Sequence, residues 1–504
     1  ANPIIRRCFG RVDDYSFLLL PSNILFEGEI VDMLNRSDLI TDDDYRSPEL
    51  IGWLYQFYIS ERKDEVFASF KKGNKAKADE IPAATQIFTP NWIVKYMVQN
   101  SLGRIYLDNE PYSELKSRMQ YLVSAEPNSE KFTFVDVKEL TCADLACGSG
   151  HILTECFDLL YDIYIEQGYS RRDAVKNIFA HNLIGIDIDT RAKQLATFAL
   201  LLKACRRDAT FADAHAMPRV LDMPEPYRSD NDLRDTLRHF FLGGTPTQID
   251  ETAEAIALFD DAEDLGSIMR FNISPGTREA IVRRLAEYRA SQIHTYDDLF
   301  QYSDVILALT TKYAALVMNP PYTKASNMND VLKLYTSKNY EVGAIDMYST
   351  FMILAMNLVC KHGSISMIVQ PTWLVNASFG AMRKYILDNF SLKSLLHMGR
   401  GNFGNDWGSI AFTLSKSANR KDSLFFKLYE RTFYRIEPEH IQELFLTAIN
   451  NFNYRYQFSL YNPSNFDASD NPNGRQICYI CNQEKFKRVL NYPFCYSFSD
   501  DILD

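Results

Sequence analysis

Three features of the sequence predict a doubly wound α/β fold built on a mostly parallel sheet. Short apolar runs at 140–145, 183–188, 220–223, 314–318 and 364–369 alternate with helical patterns such as 153–166 and 191–206. Strand and helix signals in alternation are what crossover helices on a parallel sheet produce. The first run leads into a glycine-rich turn, Asp144-Leu145-Ala146-Cys147-Gly148-Ser149-Gly150, and the second ends on Asp187. That pairing is the pattern of a nucleoside-binding doubly wound sheet.

Taken in chain order, residues 1–84 carry helical patterning, as in Leu50-Ile51-Gly52-Trp53-Leu54-Tyr55, and are expected to form an N-terminal helical domain. The α/β unit is expected over 85–420. Between about 225 and 310 the chain is acidic, with helical patterns at 249–258 and 277–290 and no strand signal, which predicts a helical insertion. From 421 to 504 aromatic residues and Asn accumulate, and a C-terminal extension is expected there.

The chain has 504 residues, with 46% hydrophobic and 13% aromatic, which excludes a wholly disordered protein. Lys and Arg number 54 against 65 Asp and Glu, a net charge of −11. Such a balance argues against nucleic-acid binding through overall charge, though not against a local basic cleft. No run of about 18 apolar residues occurs, so no membrane span is expected. The start has neither a charged nor an apolar leader segment, and the nine cysteines are scattered. Reduced thiols and a cytoplasmic location are the expectation. Cys478-Tyr-Ile-Cys481 has metal-ligand spacing without a second pair, so no metal is expected.

The chemistry concentrates in three places. Small residues in the 144–150 turn let a ligand approach the backbone, and the helix opening at His151 offers free N–H groups. No Lys-Ser/Thr follows Gly150, which argues against a nucleotide P-loop. In Ile184-Gly185-Ile186-Asp187-Ile188-Asp189, Asp187 is placed to accept from ribose hydroxyls, and Asp189 to cap the next helix. The run at 314–318 leads into Asn319-Pro320-Pro321-Tyr322. The prolines stiffen the backbone and withdraw N–H donors, leaving the Pro320 carbonyl and the Asn319 side-chain oxygen as neighbouring acceptors. Tyr322 supplies a ring for stacking. This set suits a planar group with an exocyclic NH₂.

Together these residues resemble motifs I, II and IV of adenine-specific (N6) DNA methyltransferases of the gamma class. Finer similarity points to the phage growth limitation/BREX (PglX) and type IIG-like methylase family. It lies in Gln86-Ile87-Phe88-Thr89-Pro90, Ala344-Ile345-Asp346-Met347-Tyr348, Gln370-Pro371-Thr372-Trp373 and His397-Met398-Gly399-Arg400-Gly401-Asn402-Phe403.

The resemblance implies a Rossmann-like S-adenosylmethionine-dependent fold and methylation of a base flipped out of double-stranded DNA, within a restriction-modification or BREX-type defence system. It places Phe88, Thr89 and Pro90 at the methionine end of the cofactor. Asp144, Ala146, Cys147, Gly148 and Gly150 would hold its amino-acid part, Asp187 with Ile188 its ribose, and Asp222, rather than Asp213, its adenine. Asn319, Pro320, Pro321 and Tyr322 would bind the target adenine, and Phe403, or Trp407, would pack its other face. Asp346 would line the cleft or cap a helix. Methylation of adenine needs no thiolate, so Cys147 is expected to have no nucleophilic role, and His151 and His397 are expected to be structural.

Two alternatives stay open, a cofactor-binding scaffold without turnover and a methyltransferase acting on protein glutamine or RNA. Defence-system proteins are the expected protein partners. Residues 486–497 resemble the lead into a target-recognition domain, and with no such domain following, weak and non-specific DNA binding is expected of this chain alone. Basic residues expected near the cleft are Lys324, Arg383, Lys384, Arg400, Lys416, Arg420 and Lys421.

Overall fold

The computed structural model describes residues 5, 8–9, 23–36, 40–41, 50, 52, 89–123, 130–208, 210–211, 216–229, 232–290, 296–400, 408–417, 422–430 and 436–498. Most of the expected N-terminal helical domain lies outside the described residues.

The centre is a nine-stranded sheet. Its strands are β1 (Cys142–Asp144), β2 (Leu183–Ile186), β3 (Arg219–Leu221), β4 (Tyr313–Met318), β5 (Val359–Val369), β6 (Ser391–Gly399), β7 (Ser409–Ser415), β8 (Asp422–Lys427) and β11 (Cys478–Asn482). A separate antiparallel pair joins β9 (Arg455–Tyr456) to β10 (Arg475–Gln476). The order across the sheet is β11-β8-β6-β7-β5-β4-β1-β2-β3. From β5 to β3 every pairing is parallel, β6 pairs β8 in parallel, and β7 and β11 pair antiparallel with their neighbours. The expectation of a doubly wound, mostly parallel α/β sheet is met.

Helices cover both faces. On one, α1 (Asn91–Val98), α2 (His151–Glu166) and α3 (Thr190–Arg207) bury Tyr96, Leu153, Phe157 and Leu200 against Cys142, Leu183 and Val317. On the other, Ala143, Ile184, Leu316 and Met318 face a core that includes Phe259, Ile306 and Phe351. Successive strand residues thus enter opposite cores, as a pleat buried on both sides requires.

The expected insertion is seen as α4 (Leu233–Phe240), α5 (Pro246–Ala257), α6 (Pro275–Ala290) and α7 (Asp297–Thr310), between β3 and β4. Sequence signals set its boundaries locally. Thr245 and Gln248 form a capping box around α5, with Pro246 in its first turn.

The sheet runs across the expected division at 420/421, since β8 pairs with β6 and β11 with β8. On β11, Cys478 and Cys481 enter different cores, which fits strand alternation and not a shared ion. Among the described residues no group of His, Cys, Asp and Glu is arranged to hold a metal, and no helix is long and apolar enough to cross a membrane.

The chain winds outward from β1 through β2 to β3, then returns to place β4 on the other side of β1. This reversal opens a crevice at the carboxyl ends of β1 and β4, the place where doubly wound sheets bind ligands.

Candidate functional site

The residues singled out in the sequence stand at the carboxyl ends of adjacent parallel strands. Asp144 ends β1, Asp187 follows β2, Asp222 follows β3 and Asn319 follows β4.

Asp144 is 1% exposed. Its Oδ1 accepts from the Ala146 amide at 3.1 Å, while Oδ2 is buried with no hydrogen-bond partner. Burial pushes this carboxyl well above the usual range, more than the Ala146 amide pulls it down, and Asp187 adds to the rise. An orphaned carboxylate oxygen in such a place fits a cationic group of a ligand.

The turn that follows is held from β2. The Cys147 amide donates to Ile186 O at 3.0 Å, and the Gly148 amide to Asp187 Oδ2 at 2.7 Å. Gly148 has φ 51° and open space where a Cβ would sit, so the backbone there is accessible. Gly150 has φ 83°, and a Cβ would fall 2.8 Å from Ala196 Cβ, so its bareness lets α2 pack on α3. Burial raises the Cys147 thiol, in keeping with an inert sulfur.

Asp187 also accepts the Asp189 amide at Oδ1, at 2.9 Å. Burial raises its carboxyl to about 6, partly offset by these amides. Each oxygen has one amide partner and retains a lone pair for a hydroxyl. Asp189 caps α3 through Arg191 N at 2.9 Å, as its position predicts. Asp222 pairs with Lys193 Nζ at 2.6 Å and is only partly buried. That partner on α3 had no sequence signal.

Beside them, Asn319 Nδ2 donates to Thr89 Oγ1 at 3.0 Å, and the Tyr322 hydroxyl stands 2.8 Å from Asn319 Oδ1 and 3.0 Å from Ile368 O. The first contact joins the stretch before α1 to the end of β4. The last anchors the Tyr322 ring to β5. Tyr348 meets Tyr322 edge-on, with ring centroids 6.1 Å apart, and its hydroxyl bonds Thr372 Oγ1 at 2.7 Å. Asp346 caps α8 (Met347–Leu358) and accepts from Thr323 N at 3.0 Å, which ties down the segment after Tyr322. Burial raises its carboxyl to about 7.

One wall was not legible. Ser267, in the insertion, donates to Leu145 O at 2.5 Å, and Gly266 lies against Ile188. The acidic helical segment therefore closes on the turns after β1 and β2.

Of the expected aromatic and motif residues, Phe88, Phe403 and Trp407 lie outside the described residues, as do Asp213, Arg420 and Lys421. Burial lowers His151 to about 4 and His397 to about 3, and His397 is bound to the Tyr496 hydroxyl at 2.8 Å. Neutral, packed imidazoles suit a structural role.

Two of the expected basic cleft residues are placed otherwise. Arg383 is fully buried and donates to the carbonyls of Trp373, Asn376 and Asn491. Lys416 reaches Val359 O at the amino end of β5, away from the crevice. Both cations bond backbone carbonyls, which sequence spacing does not reveal.

A family model described as Eco57I restriction-modification methylase matches residues 181–403. The chain is 33% identical over 481 residues to the adenine-specific methyltransferase BrxX of Escherichia coli O9:H4 (strain HS), covering 88% of this chain and 39% of that protein. It is 31% identical over 527 residues to the adenine-specific methyltransferase PglX of Lacticaseibacillus casei (strain Zhang), covering 97% and 42%. The solved DrdV–DNA complex superposes with a TM-score of 0.47 at 11% identity, covering 99% of this chain and 40% of that one. The chain spans about two fifths of the length of the curated relatives it matches.

Proposed function

We propose that this chain, which shares a family with the adenine-specific methyltransferases PglX and BrxX, carries the catalytic unit of a DNA adenine N6-methyltransferase. The observation that carries this reading is the meeting, at the sheet's switch point, of the Gly148 turn after β1 with Asn319-Pro320-Pro321-Tyr322 after β4.

S-adenosylmethionine would supply a methyl group on a sulfonium centre. The chain's residues fit it. Asp144 Oδ2 is an orphaned buried acceptor for its ammonium, and Gly148 leaves the backbone open beside it. Asp187, with Ile188, would hold the ribose, and Asp222 the adenine. Thr89 and Pro90, with Phe88, would border the methionine end.

The target base has to leave the duplex, because its amino group is otherwise paired and stacked. Asn319 Oδ1 and the Pro320 carbonyl would accept its two N–H hydrogens, drawing the nitrogen lone pair out of conjugation. Tyr322 would stack on the ring, Pro321 would keep the turn rigid, and Phe403 would cover the far face. Stacking of this kind is worth roughly 1–3 kcal/mol per base, enough to offset much of the extrusion cost. The remaining acceleration is an orientation effect, since the nitrogen sheds its proton only after attack.

Double-stranded DNA is the proposed substrate, held weakly and without specificity by this chain alone, in a cytoplasmic defence system with further protein partners. Asn319→Ala is expected to abolish tritiated methyl incorporation into DNA while binding of S-adenosylhomocysteine survives. Full activity in that variant would overturn the assignment. Cofactor binding by the unmodified chain with no incorporation into any DNA would favour a scaffold role instead.

A further inference from the structure

The amino ends of the strands, opposite the end that carries Asn319, border a second cavity of about 630 Å³. Ser364 at the middle of β5, level with Ala315 on β4, Ser394 on β6 and Leu424 on β8 form its sheet side. Arg104, Ile105 and Asp108, on the helix Arg104–Asn109, face them. A volume of this size lies within the range of roughly 300–1,000 Å³ that holds small organic ligands.

Its charge is unevenly compensated. The Arg104 side chain is 24% exposed, its Nη2 donates to Val123 O at 2.7 Å, and among the described residues its carboxylate partner, Asp108 Oδ1, is 3.8 Å away. A guanidinium has five N–H donors, and among the described residues these two contacts leave several unused. Lys131 Nζ donates to the Asp108 carbonyl at 2.5 Å, not to its carboxylate. Burial raises the Asp108 carboxyl, against the pull of Arg104, Lys131 and Lys393, so the central counter-ion is a reluctant one. Among the described residues the other acids of the cavity are Glu130, which accepts from Ser417 Oγ at 2.8 Å, and Asp422, which is exposed at the start of β8. Phe132, Phe452 and Ile480 supply apolar walls, and Ile480 is 58% exposed.

We propose that this cavity binds a small organic phosphate with a planar body, of the chemistry and size of a nucleoside monophosphate. The phosphate would lie at Arg104 and Lys131, where a forked guanidinium and an ammonium together match a dianion. The ring system would lie against Phe132 and Phe452. The site stands at the opposite end of the sheet from the crevice and does not depend on the methyl-transfer reading.

The test is calorimetric titration of the protein with AMP, GMP, CMP and UMP, with inorganic phosphate for comparison and S-adenosylhomocysteine present in excess. At least one mononucleotide is expected to bind at a single saturable site. Its affinity is expected to fall at least tenfold in Lys131→Met and in Ile480→Trp, whose positions are accessible enough to spare the fold. No mononucleotide binding would overturn the proposal. So would inorganic phosphate binding as tightly as the nucleotides, or nucleotide affinity unchanged in both variants. Failure of S-adenosylhomocysteine itself to bind would count against the methyl-transfer reading and leave the nucleotide result standing.

Discussion

Asn319 and Thr89, 230 residues apart in the chain, are joined by a hydrogen bond of 3.0 Å from the amide nitrogen to the threonine hydroxyl oxygen. On its other side the same amide meets the Tyr322 hydroxyl at Oδ1, 2.8 Å away. The two ends of a side-chain amide are alike in shape, so only such partners decide which one faces the crevice. Thr89, 4% exposed, thus bears on the geometry of a residue at the end of β4 as well as on the proposed cofactor edge.

Thr89→Val keeps the shape and removes the acceptor for Asn319 Nδ2. Loss of this half-buried hydrogen bond is worth about 0.5–1.5 kcal/mol, which corresponds to about a 2- to 10-fold lower rate if the cost falls on the aligned amide. Methyl transfer is expected to fall by that factor with a smaller change in cofactor affinity, and Thr89→Ser to restore it. Steady-state kinetics beside direct binding of S-adenosylhomocysteine separates the two. A loss equal in both would assign Thr89 to the cofactor alone.

The two glycines of the turn are expected to fail differently. Gly150→Ala combines φ 83° with a Cβ 2.8 Å from Ala196 Cβ and 2.9 Å from its Cα, so the contact of α2 with α3 has to open. A stability loss of about 2 kcal/mol or more is expected. Gly148→Ala meets nothing within 4 Å and bears only its φ of 51°, about 1 kcal/mol. Its methyl group would instead occupy the open space at the turn, where the cofactor is proposed to lie. Thermal melting should therefore single out Gly150→Ala, while binding of S-adenosylhomocysteine should be lost in Gly148→Ala with the fold intact.

The parallel half of the sheet was legible because its strands are near-continuous apolar runs that end on recognisable turns. The strands β6, β7 and β8 were not, and buried serines explain why. Ser423 on β8 breaks the apolar pattern, yet its hydroxyl donates to the carbonyl of Leu392 inside the sheet. Ser394 is likewise buried and bonded to the Tyr96 hydroxyl at 2.7 Å. At the site, residue types and order singled out Asp144, Asp187 and Asn319, which the fold places at the carboxyl ends of adjacent strands. The contacts around them, such as Thr89 on Asn319, Lys193 on Asp222 or Ser267 on Leu145, are long-range pairings with no local pattern.

Tyr322 separates a stacking role from a hydroxyl role. Its ring is expected to face the extruded base, while its hydroxyl lies between Ile368 O and Asn319 Oδ1. Tyr322→Phe keeps the ring and is expected to retain methyl transfer within about tenfold, since the single hydroxyl proton serves one acceptor at a time and that hydrogen bond is worth about 1 kcal/mol. Tyr322→Ala also removes the stacking, roughly 1–3 kcal/mol, and is expected to fall much further. Equal losses in both variants, measured by methyl incorporation at saturating cofactor, would move the essential contribution from the ring to the hydroxyl.

Asp346 makes stability depend on pH in an unusual direction. Burial raises its carboxyl to about 7, and the amides of Tyr348 and Thr323 and the charge of Lys324 offset this only in part. Its unfolded value is about 3.9, so between these limits the folded state holds the extra proton. Stability from this group is therefore greatest below about pH 4 and declines as pH rises toward 7, and Asp187, raised to about 6, acts in the same sense. Asn is a good N-cap and its Oδ1 can keep both amide bonds, which in the wild type end on the single oxygen Asp346 Oδ1. Asp346→Asn is therefore expected to be more stable than the wild type at pH 8, by on the order of 1 kcal/mol or more, with the gain shrinking toward pH 4.5. Asp346→Ala loses the cap of α8 as well and is expected to fall below Asp346→Asn by about 0.5–2 kcal/mol at every pH. Urea unfolding of the three proteins at pH 4.5, 6 and 8 measures this directly. A gain in Asp346→Asn that is independent of pH would show that the carboxyl does not titrate in this window and that packing alone sets the difference.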